Sequence, residues 1–152
     1  MQVYGDSLSG NCLRVRWTLD RLGIEHAWIE TDVLSGATRT PEFLALNAAG
    51  QVPLVVFPDG RTLAQSNAIL LHFGEGSELI PACAYDRAKM YEWLFWEQYS
   101  HEPYVAVARF QVRYLGRSPA DLEPRLVERG KAALAHGSTR PRPPGASSSA
   151  SG

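Results

Sequence analysis

Within residues 7–12 the chain reads Ser7-Leu8-Ser9-Gly10-Asn11-Cys12, two hydroxyls directly ahead of a stretch with helical periodicity and a thiol in its first turn. A helix N-terminus presents unpaired backbone N–H groups and the positive end of the helix dipole. A hydroxyl placed just before it can therefore donate to an anion that the dipole also favours. Ser9 stands there. A thiolate is one such anion: a free thiol has a pKa of about 8.5, and a hydrogen bond to a charged group contributes roughly 1.5–3 kcal/mol. At about 1.4 kcal/mol per unit, such a bond lowers the thiol by roughly one to two units and makes the thiolate the main form near neutrality. Ser7 competes with Ser9 but lies closer to the preceding strand. Cys12 falls on the apolar stripe with Val15 and Leu19, where a cysteine serves as a small hydrophobe.

Two further stretches carry polar groups at informative places. Gln65-Ser66 opens a helical stretch, so backbone N–H groups and one hydroxyl form a second anion site, although serine is also a preferred N-cap of any helix. Gln51-Val52-Pro53 begins a strand; a cis bond at Pro53 would turn the Val52 N–H and C=O toward a ligand backbone, and a trans proline at a strand start is equally permitted. Arg39, in Thr38-Arg39-Thr40, reads either as a carboxylate partner or as a solvated surface residue. Gly74-x-Gly76 lacks the strand–turn–helix context of a dinucleotide loop, and His101-Glu102 has no second histidine at helical spacing, so neither reads as a nucleotide or zinc motif.

The elements that must hold these residues alternate between strand and helix. Gln2-Val3-Tyr4 reads as a strand, and Asn11 to Leu22 as a helix whose apolar face is Cys12, Val15, Leu19 and Leu22, closed by Gly23 at C′. Ala27 to Thr31 is a second strand. Thr40-Pro41-Glu42 supplies an N-cap, a proline at the first helical position and an acid in the first turn of a helix through Leu46. Pro53–Phe57 and Arg61–Leu63, separated by Pro58-Asp59-Gly60, form a β-hairpin, and a helix from Ser66 to about Phe73 buries Ile69, Leu70 and Phe73. The order βαβα-ββα gives an α/β fold with a mixed sheet, a parallel pair followed by an antiparallel hairpin, in the thioredoxin-like arrangement. After a linker over residues 76–84 comes a long aromatic helix from about Tyr85, expected to kink at Pro103, and then a helix capped at Ser118-Pro119-Ala120-Asp121 and running to about Ala135. Residues 136–152 contain no Leu, Ile, Val or aromatic side chain and are expected to be disordered.

Hydrophobic residues at 45% and charged ones at 20% exclude a disordered chain, and fifteen Lys and Arg against sixteen Asp and Glu give no field that would steer toward nucleic acid or an anionic membrane. Two distant cysteines without CxxC exclude a disulfide scaffold. No run of eighteen apolar residues occurs, and the first residues lack the basic and apolar regions of a signal peptide, so the expected location is cytoplasmic with reduced thiols.

Ser9-Gly10-Asn11-Cys12-Leu13-Arg14-Val15-Arg16, Gln51-Val52-Pro53 and Gln65-Ser66-Asn67-Ala68-Ile69 resemble, in order and approximate spacing, three motifs of the cytosolic glutathione S-transferase superfamily, most of all its serine-type zeta-like and theta-like bacterial members. With the element order, the resemblance covers residues 1–75, a glutathione-binding thioredoxin-like domain, and the aromatic helix extends it through a partial all-α domain over residues 85–135. It implies that Ser9 stabilises the glutathione thiolate, that Pro53 is cis with Val52 pairing to the cysteinyl backbone, and that Gln65 and Ser66 hold the γ-glutamyl carboxylate. It also implies that Asn11 and Gln51 add polar contacts and that Arg39 meets the glycyl carboxylate. Glutathione is then the co-substrate, no metal is needed, an electrophilic substrate is the other partner, and a homodimer is expected. Helix-like sequence stops at about Ala135, so the second domain is expected to be truncated, with an Arg/Pro/Gly/Ser-rich tail resembling a shifted reading frame or an added segment. A catalytically silent binding module, or a glutathione-dependent disulfide reductase acting through Cys12, stand as alternatives. The first cysteine of a thioredoxin-like redox motif is replaced here by Ser9.

Overall fold

The structure, a computed structural model, describes residues 1–139. Strands β1 (Gln2–Gly5), β2 (Ala27–Glu30), β3 (Leu54–Val56) and β4 (Thr62–Ala64) form one sheet in the order β2-β1-β3-β4. β1 pairs parallel with β2, while β3 pairs antiparallel with both β1 and β4. This is the mixed thioredoxin-like sheet that the element order predicts.

Helix α1 (Gly10–Arg21) connects β1 to β2 and turns Cys12, Val15 and Leu19 inward. It ends in a Schellman motif: Gly23 takes φ 65°, its N–H donates to Asp20 O, and the Ile24 N–H donates to Leu19 O. Helix α2 (Pro41–Leu46) starts where the sequence signals place it, with Thr40 Oγ1 accepting from the Phe43 N–H at 3.2 Å. Helix α3 (Ser66–Gly74) packs against α1 and contributes Ile69. Val3, Val15, Leu19, Val55 and Ile69 form a core with no solvent exposure, flanked by Ile24, Leu63, Leu70 and Phe73. Interleaved apolar faces from sheet and helices close this layer.

The chain divides into two compact units, Met1–Leu94 and the residues from Phe95 onward. Helix α4 (Ala84–Trp96) continues into a π-helical segment (Glu97–Ala106) and then into α5 (Val107–Arg113). The expected kink at Pro103 takes the form of this π-helical stretch. Proline has no N–H to place in an α-helical ladder, and the wider turn accommodates the interruption while Trp96 and Val107 at its ends keep helical φ and ψ.

Two further expectations are corrected. Ser118 caps only a single 3-10 turn (Pro119–Asp121), its Oγ accepting from the Ala120 N–H, and helix α6 starts later and runs over Pro124–Ser138. Pro124 explains the break: it holds Glu123 extended, at φ −53° and ψ 127°, and itself fits the first helical position. The helix also outlasts Ala135, because His136 packs its ring 5.2 Å from that of Trp96 and the backbone of Gly137 lies against the Trp96 edge. Residues 136–138 are thus helical, and 140–152 lie outside the described residues.

Candidate functional site

The strand register brings three loops to one end of the sheet. Tyr4 pairs with Leu54 and Leu54 pairs with Ala64, so the exit of β1, the entry of β3 and the exit of β4 are adjacent. The loops at that end are Asp6 to Ser9, Gln51 to Pro53, and Gln65 leading into Ser66. Three stretches, the first about 40 residues ahead of the second, are gathered by two antiparallel pairings.

Ser9 is the N-cap of α1, with φ −77° and ψ 123°, and its Oγ accepts from the Cys12 N–H at 3.4 Å. Its own N–H donates to Asp6 O at 2.9 Å, while Asp6 Oδ1 accepts from the Leu8 N–H, so a tight turn delivers the hydroxyl to the helix start. The side chain is half-buried, and besides accepting at the cap its hydroxyl meets the Cys12 thiol, a weak acceptor. Ser7 is engaged elsewhere: its N–H donates to Glu30 Oε1 at 2.8 Å and its hydroxyl to Glu30 Oε2 at 2.6 Å. Trp28 Nε1–H donates to the same carboxylate, and these bonds hold Glu30 below the usual carboxylate range. Cys12 is wholly buried, and burial pushes its thiol up despite the Ser9 hydroxyl bonded to it.

Asn11 and Ser66 are joined by a residue not singled out beforehand. Arg14 Nη2 donates to Asn11 Oδ1 at 2.6 Å and also to Ser66 Oγ, so one guanidinium spans the starts of α1 and α3. The spacing of Asn11 and Arg14 by three residues on a helix was a legible signal for the first bond. The second depends on a fold contact 52 residues away. Glu30 had no comparable signal, since 23 residues separate it from Ser7.

Gln65 precedes Ser66 at φ 69° and ψ 113°, the one non-glycine with positive φ among the described residues. Its side chain is exposed, and Ser66 beneath it is buried. Such a conformation costs on the order of 1–3 kcal/mol and persists where the surroundings over-determine it. The Val52–Pro53 bond is cis, as the resemblance implies, and both residues lie just outside the β3 ladder, with Pro53 buried. Arg39 ends a 3-10 turn (Ala37–Arg39), and its Nη1 reaches Ala49 O at 3.3 Å. Gly50 lies directly under that guanidinium at φ 60°, where an added Cβ would meet Nη1 at 2.5 Å. Asn47 Nδ2 donates to Gln51 O, which anchors the backbone ahead of Val52 and leaves the Gln51 side chain exposed. Among the described residues, no group of three or more His, Cys, Asp or Glu side chains is arranged to hold a metal, and no helix is long and apolar enough to cross a membrane.

Residues 8–75 match the sequence-family profile described as glutathione S-transferase, N-terminal domain. A solved glutathione S-transferase from Pseudomonas fluorescens is 42% identical and superposes with a TM-score of 0.85, over 90% of this chain and 69% of that one. The chain belongs to the glutathione S-transferase superfamily. Glutathione S-transferase 3 of Zea mays is 35% identical over 117 residues, which cover 74% of this chain and 52% of the relative. The chain thus spans about half the length of the curated transferase it matches. A superfamily member from Methylobacterium extorquens AM1, a maleylacetoacetate isomerase solved with bound malonate and GSH, is 28% identical with a TM-score of 0.68, over 90% of this chain and 64% of that one.

Proposed function

We propose that this superfamily member binds glutathione at the gathered loops and uses its thiolate to attack, or transiently add to, an electrophilic carbon. Ser9 is the residue that donates to the sulfur. The observation that carries this reading is the contrast between the two serines: Ser7 spends its hydroxyl proton on the Glu30 carboxylate, whereas Ser9 caps α1 as an acceptor and its hydroxyl meets the Cys12 thiol, a weak acceptor that a charged ligand sulfur outcompetes. The anion is favoured there by the positive dipole end of a twelve-residue helix.

The remaining contacts follow the chemistry of a γ-glutamyl-cysteinyl-glycine ligand. Ser66 and the strained Gln65 present hydroxyl, amide and backbone donors to the γ-glutamyl carboxylate at the start of α3. Val52, ahead of cis Pro53, pairs with the cysteinyl backbone. Arg39 and Gln51, brought near each other by the 47–50 turn, receive the glycyl carboxylate, and Asn11 adds a polar contact beside Ser9. No metal takes part. A disulfide reductase acting through Cys12 is disfavoured by the complete burial and raised pKa of that thiol. Conjugation and isomerisation both begin with the same thiolate, and the relatives named above carry out one or the other by name.

Titration with glutathione while following thiolate absorbance tests the reading. The Ser9→Ala variant should retain binding and shift thiolate formation upward by about one to two pH units, the loss of one hydrogen bond to a charged sulfur. Absence of binding by the unaltered chain would make it a silent module. An unshifted thiolate would remove Ser9 from the chemistry.

A further inference from the structure

Arg14 sits half-buried between the two helix starts that the preceding reading assigns to the sulfur and to the γ-glutamyl carboxylate of the ligand. It is a donor only. The Asn11 atom facing it must therefore be Oδ1, which fixes the amide orientation and directs the Asn11 NH2 away from the guanidinium. By the same logic Ser66 Oγ must accept from Arg14. The Ser66 proton is then left with the distant Asn11 Oδ1, at 3.4 Å, or with an incoming carboxylate. One cation thus orients two ligand-facing groups, and its charge lies beneath the N-terminus of α3, where a carboxylate is expected.

We propose that Arg14 is a positioning residue that orders two groups of the bound tripeptide at once, the central sulfur through Asn11 and the γ-glutamyl carboxylate through Ser66. The inference rests on the glutathione-binding reading above. Its basis is the shared Nη2 donor joining Asn11 and Ser66 across α1 and α3. Arginine suits this place because its planar fork holds two acceptors in fixed directions, whereas lysine supplies a point charge without that geometry.

Two probes separate the two groups. S-methylglutathione has no ionisable thiol, so its affinity reports the carboxylate, while the pH of thiolate absorbance with glutathione reports the sulfur. Arg14→Ala should weaken S-methylglutathione by about tenfold, the loss of one charge-assisted hydrogen bond. The same variant should raise the pH of thiolate formation by about one unit. Arg14→Lys should fall between it and wild type in both readouts. In a Ser66→Ala background, removing Arg14 should cost less S-methylglutathione affinity while the thiolate shift persists, a separation that a purely structural arginine would not give. If Arg14→Ala stays within about twofold of wild type in affinity, or leaves the thiolate pH unchanged, the proposal is overturned and the glutathione reading stands. Failure of wild type to bind either probe overturns both. Should the alanine variant not fold, the lysine variant decides, and its equality with wild type in both readouts rejects the role.

Discussion

The two compact units differ in how they hold themselves together. Among the described residues, the largest fully buried side chains, Val3, Cys12, Val15, Leu19, Leu54, Val55 and Ile69, all belong to the first unit. In the second, the buried hydrophobic residues among those described are Leu126 and Ala133, while Phe95 and Tyr99 stand 73% and 84% exposed. The difference traces to patterning. A sheet with apolar helix faces packed on it encloses side chains from several directions. The π-helical segment instead interleaves its apolar residues with Glu97, Gln98, Ser100, His101 and Glu102, so no continuous stripe is available to bury. The proposed chemistry sits on loops carried by the well-buried unit, as precise placement of a hydroxyl or guanidinium requires.

The largest effects should separate the units by their cores. Leu19→Ala removes a wholly buried side chain between α1 and the sheet and should destabilise β1 and β3 by about 3–5 kcal/mol, read from native-state hydrogen exchange of their amides. Leu126→Ala, at a site 8% exposed in a thinner layer, should cost α6 about 2 kcal/mol or less. Equal losses would mean that the second unit is as tightly packed as the first, and the contrast would fail.

Glycine substitutions sharpen the comparison by having opposite signs. At Gly5 an added Cβ would lie 2.3 Å from Trp28 Cη2, and Trp28 is held in place by its bond to Glu30 and by Arg16 over its ring. Gly5→Ala should destabilise the first unit by about 1–3 kcal/mol, and Trp28→Leu should relieve part of that cost in the double variant. At Gly130, within α6, an added Cβ would make an ordinary contact of 3.7 Å with Val105. Gly130→Ala should therefore raise the stability of α6 by about 0.5–1 kcal/mol through helix propensity. Thermal denaturation of both variants checks the signs, and a destabilising Gly130→Ala would show that the second unit packs more closely than its exposures indicate.

Legibility in the sequence followed the same division. Thr40-Pro41-Glu42 located the start of α2 because capping is local, and the apolar face of α1 was readable because it is periodic. The order of elements was enough to give the mixed sheet. In the second unit, local signals competed: Ser118-Pro119 and Glu123-Pro124 both look like helix starts, and only the later one opens α6. The tilted ring contact of His136 with Trp96 that accompanies the last turn of α6 has no sequence signature. At the candidate site, Ser9 and Ser66 were visible as residues ahead of helical periodicity. What separates Ser9 from Ser7 is a carboxylate 23 residues away, and what links Asn11 to Ser66 is an arginine acting across two helices.

That carboxylate supplies the smallest effect, and one confined to the first unit. Glu30 accepts from the Ser7 N–H, the Ser7 hydroxyl and Trp28 Nε1–H, with Arg16 nearby, and its pKa is lowered accordingly. A carboxyl with a depressed folded-state pKa stabilises the fold fully above its unfolded value, about 4.3 for glutamate, and loses that contribution as pH falls through the folded value. Glu30→Gln keeps one acceptor oxygen but turns an NH2 toward donors, so it should cost stability at neutral pH. Solvent screening at this exposed position limits the cost to less than about 1 kcal/mol. The wild-type and variant stability curves should converge as the solution is acidified below about pH 4. Curves that run parallel through that range would mean that the charge contributes nothing and that the Ser7 turn is held by its backbone alone.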